Sequence, residues 1–176
     1  MKHVIEISRA IIKNKKIDVA IDMTLGRGKD LEFLVEISNK VYGFDIQKDS
    51  IDPLIDKYKN NDCVKLILDN HVNVERYVSE NIDLCIYNLG YLPGSDKKIT
   101  TNYISTISSL NKILNLLKKD AQIHIVCYPG HSEGKIEAIH LREFIKKLPQ
   151  DQYSSFIIEH DNAKNNPPFL IVISKR

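Results

Sequence analysis

Strand-length apolar runs alternate with helix-period stripes along nearly the whole chain, and few architectures can accept such an alternation. Ile17 to Met23, Val41 to Phe44, Val64 to Leu68, Ile82 to Leu89 and Ile123 to Tyr128 have the length and β-branched content of buried strands. Between them, Leu31, Phe33, Leu34 and Ile37 recur with helical spacing, as do Ile51, Leu54, Ile55 and Tyr58. A short polar helix is expected through His71 to Ser79. Ile104, Ile107, Leu110, Ile113, Leu114 and Leu117 form a longer helical stripe, and Ile136, Ile139, Phe144 and Ile145 mark another. Tyr153 to Glu159 and Phe169 to Ser174 read as two strands with a short polar connection, which predicts antiparallel pairing. Val4, Ile5, Ala10, Ile11 and Ile12 give a short helical pattern suited to covering one sheet edge. The expected fold is α/β, a doubly wound, mostly parallel seven-stranded sheet with an antiparallel last strand.

At 176 residues the chain is long enough to bury a full core, and a single domain over residues 1–176 is expected. No internal repeat, low-complexity segment or interdomain linker interrupts it. A net charge of +2 leaves no polybasic tail, so any nucleic-acid binding has to use a local basic face. Lys15-Lys16, Lys118-Lys119 and Lys146-Lys147 read as solvated helix ends. Cys63, Cys85 and Cys127 are widely spaced and each lies in or beside an apolar run, which predicts buried free thiols in a reducing compartment. Glu6 and Arg9 interrupt the apolar pattern near the start, against a signal peptide, and no apolar run reaches membrane-spanning length. A cytoplasmic protein without membrane contact is the expectation.

Polar and glycine residues gather where the first four strands end. Gly26-Arg27-Gly28 follows the first strand and precedes a helix, a turn that exposes backbone N–H groups to a ligand. A dinucleotide fingerprint wants a third glycine where Leu31 stands, which weakens a nicotinamide-cofactor reading without removing it, and no P-loop is present. Asp45 ends the second strand, about 20 residues beyond the turn, where a carboxylate can accept both hydrogen bonds of a ribose diol. Gln47 can flank the same sugar. Asp69-Asn70-His71 follows the third strand, where polar groups can meet an adenine edge. Taken singly, each of these is equally a turn residue or a helix cap. As an ordered set they favour an adenosine cofactor.

Asn88-Leu89-Gly90-Tyr91-Leu92-Pro93-Gly94 follows the fourth strand. The Asn side-chain oxygen and a nearby carbonyl can accept from an amino group, Gly90 permits close backbone approach, and Tyr91 offers a face for a nucleobase. His131, after Tyr128-Pro129-Gly130, suits a substrate loop or a helix start. Lys97-Lys98 can contact phosphate. His3, His124, His140 and His160 form no ligand spacing, so no metal is assigned.

These motifs carry a family resemblance. Asp22-Met23-Thr24-Leu25-Gly26-Arg27-Gly28-Lys29-Asp30, Tyr42-Gly43-Phe44-Asp45-Ile46-Gln47 and Leu68-Asp69-Asn70-His71 resemble, in order, the small bacterial rRNA-methylase-like family that includes a tRNA 5-aminomethyl-2-thiouridine methyltransferase. Asn88 to Gly94, Asp96-Lys97, Ile99-Thr100-Thr101, Tyr128 to His131 and Asn165-Asn166-Pro167-Pro168-Phe169 continue the match. The chain departs from the family pattern at Arg27, Lys29, Leu31 and Asn70, where Asn, His, Thr and Ser are usual.

The resemblance implies a class I methyltransferase, Rossmann-like in its sheet, with S-adenosyl-L-methionine as cofactor. It further implies N-methylation of 5-aminomethyl-2-thiouridine at the tRNA wobble position, with the anticodon arm as partner and a homodimer possible in principle. Thr24, Gly26, Arg27, Gly28, Asp30, Asp45, Gln47, Asn70 and His71 are then expected at the cofactor. Asn88, Tyr91 and Asp96 are expected at the reacting amine, and Leu89, Gly90, Pro93, Lys97, Thr100, Thr101 and His131 along the substrate. The alternatives are methylation of another amine (on rRNA, DNA or a small molecule), an NAD(P)-dependent oxidoreductase, or a non-catalytic nucleotide sensor.

Overall fold

The computed structural model describes residues 4–90 and 102–176. Seven strands form one sheet: β1 (Ile17–Asp22), β2 (Ser38–Asp45), β3 (Val64–Leu68), β4 (Ile82–Asn88), β5 (Leu117–Cys127), β6 (Tyr153–Ile158) and β7 (Phe169–Lys175). Their order is β3-β2-β1-β4-β5-β7-β6. The first five are parallel, and β7 runs antiparallel between β5 and β6. This is the expected class I methyltransferase sheet. The hairpin-like pair is present, but β7 is inserted inside the sheet and β6 takes the edge. Burial explains that order: Phe169 to Ile173 of β7 are all buried, whereas Ser155 and Phe156 of β6 are exposed.

Helices cover both faces. On one, α2 (Lys29–Ile37) and α3 (Lys48–Tyr58) bury Leu31, Leu34, Ile51 and Leu54 against Ala20, Val41, Leu84 and Ile86. On the other, α4 (Tyr103–Leu116) and α5 (Ser132–Lys146) bury Leu110, Ile113, Leu141 and Ile145 against Ile21, Cys85, Ile123 and Ile171. The first helix, α1 (Val4–Ile12), packs Val4 beside Val126, Leu170 and Val172. It is pinned there by a buried hydrogen bond between Ser8 Oγ and His124 Nδ1 of 2.8 Å.

Several boundaries differ from those expected. Leu117 ends the apolar stripe of α4 in sequence, yet it opens β5, pairing with Ile82. Ser38 caps α2 and directly begins β2, so helix and strand share no loop. The segment after β3 is a 3-10 helix, His71–Arg76, shorter than expected. Lys118 lies on β5, and its ammonium donates to Asp83 at 2.9 Å and Asp18 at 3.2 Å; it is not a solvated helix end. Cys85 and Cys127 are buried free thiols, but Cys63 is exposed, because it sits in the turn before β3 where the apolar run has not yet entered the sheet. Among the described residues no helix is long and apolar enough to cross a membrane.

The parallel register aligns the strand ends that matter. Asp22 pairs with Gly43 and Ile86, Asp45 with Leu68, and Asn88 with Val126. Gly43 has a steric reason: a Cβ there would lie 2.6 Å from Leu25 Cδ2, so a side chain would displace the loop after β1.

Candidate active site

The loop after β1 is built from backbone hydrogen bonds that a carboxylate completes. Leu25 N–H donates to Phe44 O at 3.0 Å, and Gly28 N–H to Leu25 O at 2.8 Å. Asp45 Oδ2 accepts from Gly26 N–H at 2.9 Å and Oδ1 from Gln47 N–H at 2.8 Å. The acid at the end of β2 therefore braces the glycine turn and orders its own loop, with a further lone pair on each oxygen. Gly28 caps α2 in the left-handed region at φ 74°, with a notional Cβ 2.7 Å from Leu54 Cδ2. It lies under the turn, and its role is conformational.

A cleft of about 880 Å³ runs across the carboxyl ends of β1, β2, β3 and β4. Of the expected residues, Thr24, Gly26, Arg27, Asp30, Asp45, Gln47, Asn70, His71, Asn88, Leu89, Gly90 and His131 line it. Gly28 does not. The expectations for Tyr91, Pro93, Asp96, Lys97, Thr100 and Thr101 fall outside the described residues.

At the end of β4, Asn88 is held on two sides. Its N–H donates to Thr24 Oγ1 at 2.7 Å, and its side-chain amide donates to Asp30 Oδ2 at 3.2 Å. An ionised carboxylate only accepts, so the Asn88 nitrogen must face Asp30 and its carbonyl oxygen is left for the cleft. Asp30 is oriented in turn by Arg9, whose Nη2 donates to Asp30 Oδ1 at 2.8 Å and to Lys29 O at 2.9 Å. Arg9 also lies 5.1 Å over the Phe33 ring. The relay Arg9–Asp30–Asn88 joins α1, α2 and β4, elements too far apart in sequence for spacing to connect. In the sequence Arg9 showed only as a cation inside an apolar helix.

Asp22 is the most perturbed acid of the site. It is 1% exposed; Oδ1 accepts from Thr24 N–H at 3.0 Å, and Oδ2 has no hydrogen-bond partner among the described residues. Burial pushes its carboxyl up to about 8, and the negative charges of Asp30 and Asp45 add to the shift. His71 is 8% exposed, with burial lowering it to about 4, so it is neutral at physiological pH. Its Nε2 has no partner among the described residues, and its ring meets Tyr87 edge-on at 6.0 Å. Asn70 caps the 3-10 helix, accepting from Val72 N–H at 3.0 Å, which leaves its amide hydrogens for the cleft. His131 caps α5, its Nδ1 accepting from Gly134 N–H at 3.1 Å.

The cleft also contains residues that spacing did not single out. Tyr128, pushed up to about 12 by burial and the Asp30 charge, closes one side. Ser105, at the first turn of α4, faces it from another. Asn165 and Asn166, both left-handed at φ 65° and 47°, form a rim with Pro167 and Pro168.

A strand-end cleft with a glycine turn, a ribose-type acid and an oriented Asn limits the chemistry more than it limits the family. Comparison with known proteins narrows the family. The model of a family described as "Putative rRNA methylase" matches residues 41–174. The chain belongs to this rRNA methylase family. It is 33% identical to the chloroplastic tRNA (mnm5s2U34)-methyltransferase of Arabidopsis thaliana over 92% of its own length, and spans 65% of that curated relative. Among solved structures it is similar to an rRNA-methylase from Clostridium thermocellum, with TM-score 0.95 and 33% identity over 100% of this chain and 99% of that one. A methyltransferase from Streptococcus mutans, solved with S-adenosylhomocysteine (SAH), matches at TM-score 0.91 and 34% identity, over 100% and 99% of the two chains.

Proposed function

We propose that the chain is an S-adenosyl-L-methionine-dependent methyltransferase that N-methylates the primary amine of 5-aminomethyl-2-thiouridine at the wobble position of tRNA. One observation carries the amine assignment: the Arg9–Asp30–Asn88 relay turns a neutral carbonyl acceptor into the cleft at the end of β4. The identity to the chloroplastic relative supports the nucleoside, and a relative solved with SAH supports the cofactor.

The residues present suit that cofactor. The braced glycine turn admits close backbone approach, Asp45 retains acceptor capacity for a ribose diol, and the Asp22 oxygen left without a partner among the described residues offers a buried polar atom beside the same turn. When bound, S-adenosylmethionine supplies an electrophilic methyl group on a positively charged sulfur. The protein has to present a neutral amine to it. An alkyl amine ionises near ~10.4, and an unpaired carboxylate beside it would hold it as the cation. Among the described residues near Asn88 that hazard is contained. Asp30 is paired with Arg9, and Asp22 keeps its proton at neutral pH. Asn88 and the backbone near Leu89 then orient the amine N–H bonds without stabilising an ammonium ion. Most of the acceleration comes from that alignment, which supplies roughly 7–11 kcal/mol in well-oriented systems.

Nucleoside mass spectrometry tests the reaction. Purified protein with S-adenosylmethionine should convert 5-aminomethyl-2-thiouridine in tRNA to the methylaminomethyl form. Unchanged wobble nucleosides would refute the substrate.

A further inference from the structure

A second cavity, of about 480 Å³, adjoins the cofactor cleft. Asn165, Asn166 and Pro167 line both, so the two spaces adjoin across the β6–β7 connection. On its far side stand Lys135 and Arg142 of α5, with Glu159, His160 and Asp161 from the end of β6 and beyond. Arg142 is already committed. Its guanidinium lies 4.4 Å over the Phe169 ring and is hydrogen-bonded to Glu159. Lys135 makes no ion pair among the described residues, and Asn165 and Asn166 have no side-chain partners there either.

Taking RNA as the substrate, as proposed above, we infer that this second cavity holds the nucleotide that flanks the methylated one. Its volume falls in the range of small-molecule pockets. Its lining is mixed: with Glu159 paired to Arg142, the Asp161 carboxylate opposes an isolated anion, while Lys135 opposes a purely cationic ligand. A nucleotide meets both demands, with a base whose amino or imino hydrogens find acceptors and a phosphate that finds an ammonium. The rim supplies the geometry. Two consecutive left-handed Asn residues followed by two prolines form the divider, and Asn165, Asn166 and Pro167 line both spaces, so a strand whose target base enters one space can bring its neighbour to the other. The division of labour follows: the first cavity chooses the modified base, and the second requires that the base belong to a chain.

The test compares wild type with Lys135→Glu and with Ala163→Leu, which narrows the second cavity from its loop side. The substrates are the free nucleoside, a trinucleotide centred on it, and an anticodon stem-loop. Both variants should raise KM for the trinucleotide and stem-loop roughly 5- to 20-fold, in the range of one lost phosphate or stacking contact. Their kcat, their kinetics on the free nucleoside and their affinity for S-adenosylmethionine should be unchanged. Lys135→Glu should also reduce the salt slope of stem-loop binding by about one ion. An unchanged KM for the trinucleotide in both variants, or an equal loss on the free nucleoside, would overturn the assignment. If wild type methylates none of the three, the proposed reaction fails by itself. Fluorescence anisotropy with an unmodified stem-loop then still decides the second cavity, since both variants must weaken that binding.

Discussion

Replacing Asp22 with Asn should make the cofactor-free protein more stable, and increasingly so as pH rises. The carboxyl is 1% exposed, and its pKa is raised from 3.8 to about 8, with burial as the main cause. Between those values the native state keeps a proton that the unfolded chain has released, so the Asp22 contribution to stability is fully present below the lower value and is lost as pH rises toward the upper. Holding an acid of pKa 3.8 protonated at pH 7 costs about 1.36 × 3.2, or roughly 4 kcal/mol, and relaxation of the site brings the expected effect to about 2–4 kcal/mol. Asn accepts the same Thr24 N–H bond and carries no charge at any pH. Urea unfolding of both proteins from pH 4 to 9 is the assay. The gap between them should be below about 1 kcal/mol at pH 4 and should widen by up to about 1.4 kcal/mol per pH unit toward pH 8. On the acid side, His71 and His124 are both lowered to about 4, chiefly by burial, so stability falls as pH drops from about 6.5 through 4. Two histidines outweigh one carboxyl in that range, which places the wild-type maximum near pH 6.5. Parallel pH profiles for wild type and Asp22→Asn would refute the buried-proton argument.

Four further substitutions separate the parts of the cleft and the turn beneath it. Asn88→Ala should lower kcat on the order of a hundredfold with little change in cofactor affinity by calorimetry, because in the proposed reaction the lost contact orients the attacking group; Arg9→Ala should do the same more weakly, by freeing Asp30. Asp45→Ala should weaken S-adenosylmethionine binding at least tenfold, since the ribose acceptor and the brace on Gly26 go together; equal affinity would move the ribose site elsewhere. Gly28→Ala should cost about 1–2 kcal/mol in thermal unfolding, because Ala is strained at φ 74° and its Cβ would press on Leu54; an unchanged Tm would show that the turn relaxes freely.

Periodicity was enough to read the kinds of element and their order, because buried strands and one-sided helices differ in how often an apolar residue must recur. It also predicted the pairing of β6 with β7. It did not reveal that β7 enters between β5 and β6, since strand order is a contest among non-local pairings that alternate equally well. Leu117, expected to close a helical stripe, opens β5 for a related reason: a residue at a helix–strand junction satisfies both patterns until its partner strand is known. Cys63 and Lys118 show the same limit on single residues. One was expected buried and is exposed; the other was expected in solvent and is bonded to Asp83 and Asp18.

The candidate site divides along the same line. Chain position alone brought Gly26, Asp45, Asn70 and Asn88 to one edge, because parallel strands joined by right-handed crossovers must end together. What each group does there depends on neighbours from other elements. Asp45 braces a turn 19 residues away in sequence, Asp30 orients an Asn 58 residues away, and Asp22 keeps its proton because the fold removes water from around it. The order of residues thus determined where polar groups would gather. Only tertiary packing decided which of them are charged, paired or free to act, since desolvation and hydrogen-bond partners are properties of the assembled core.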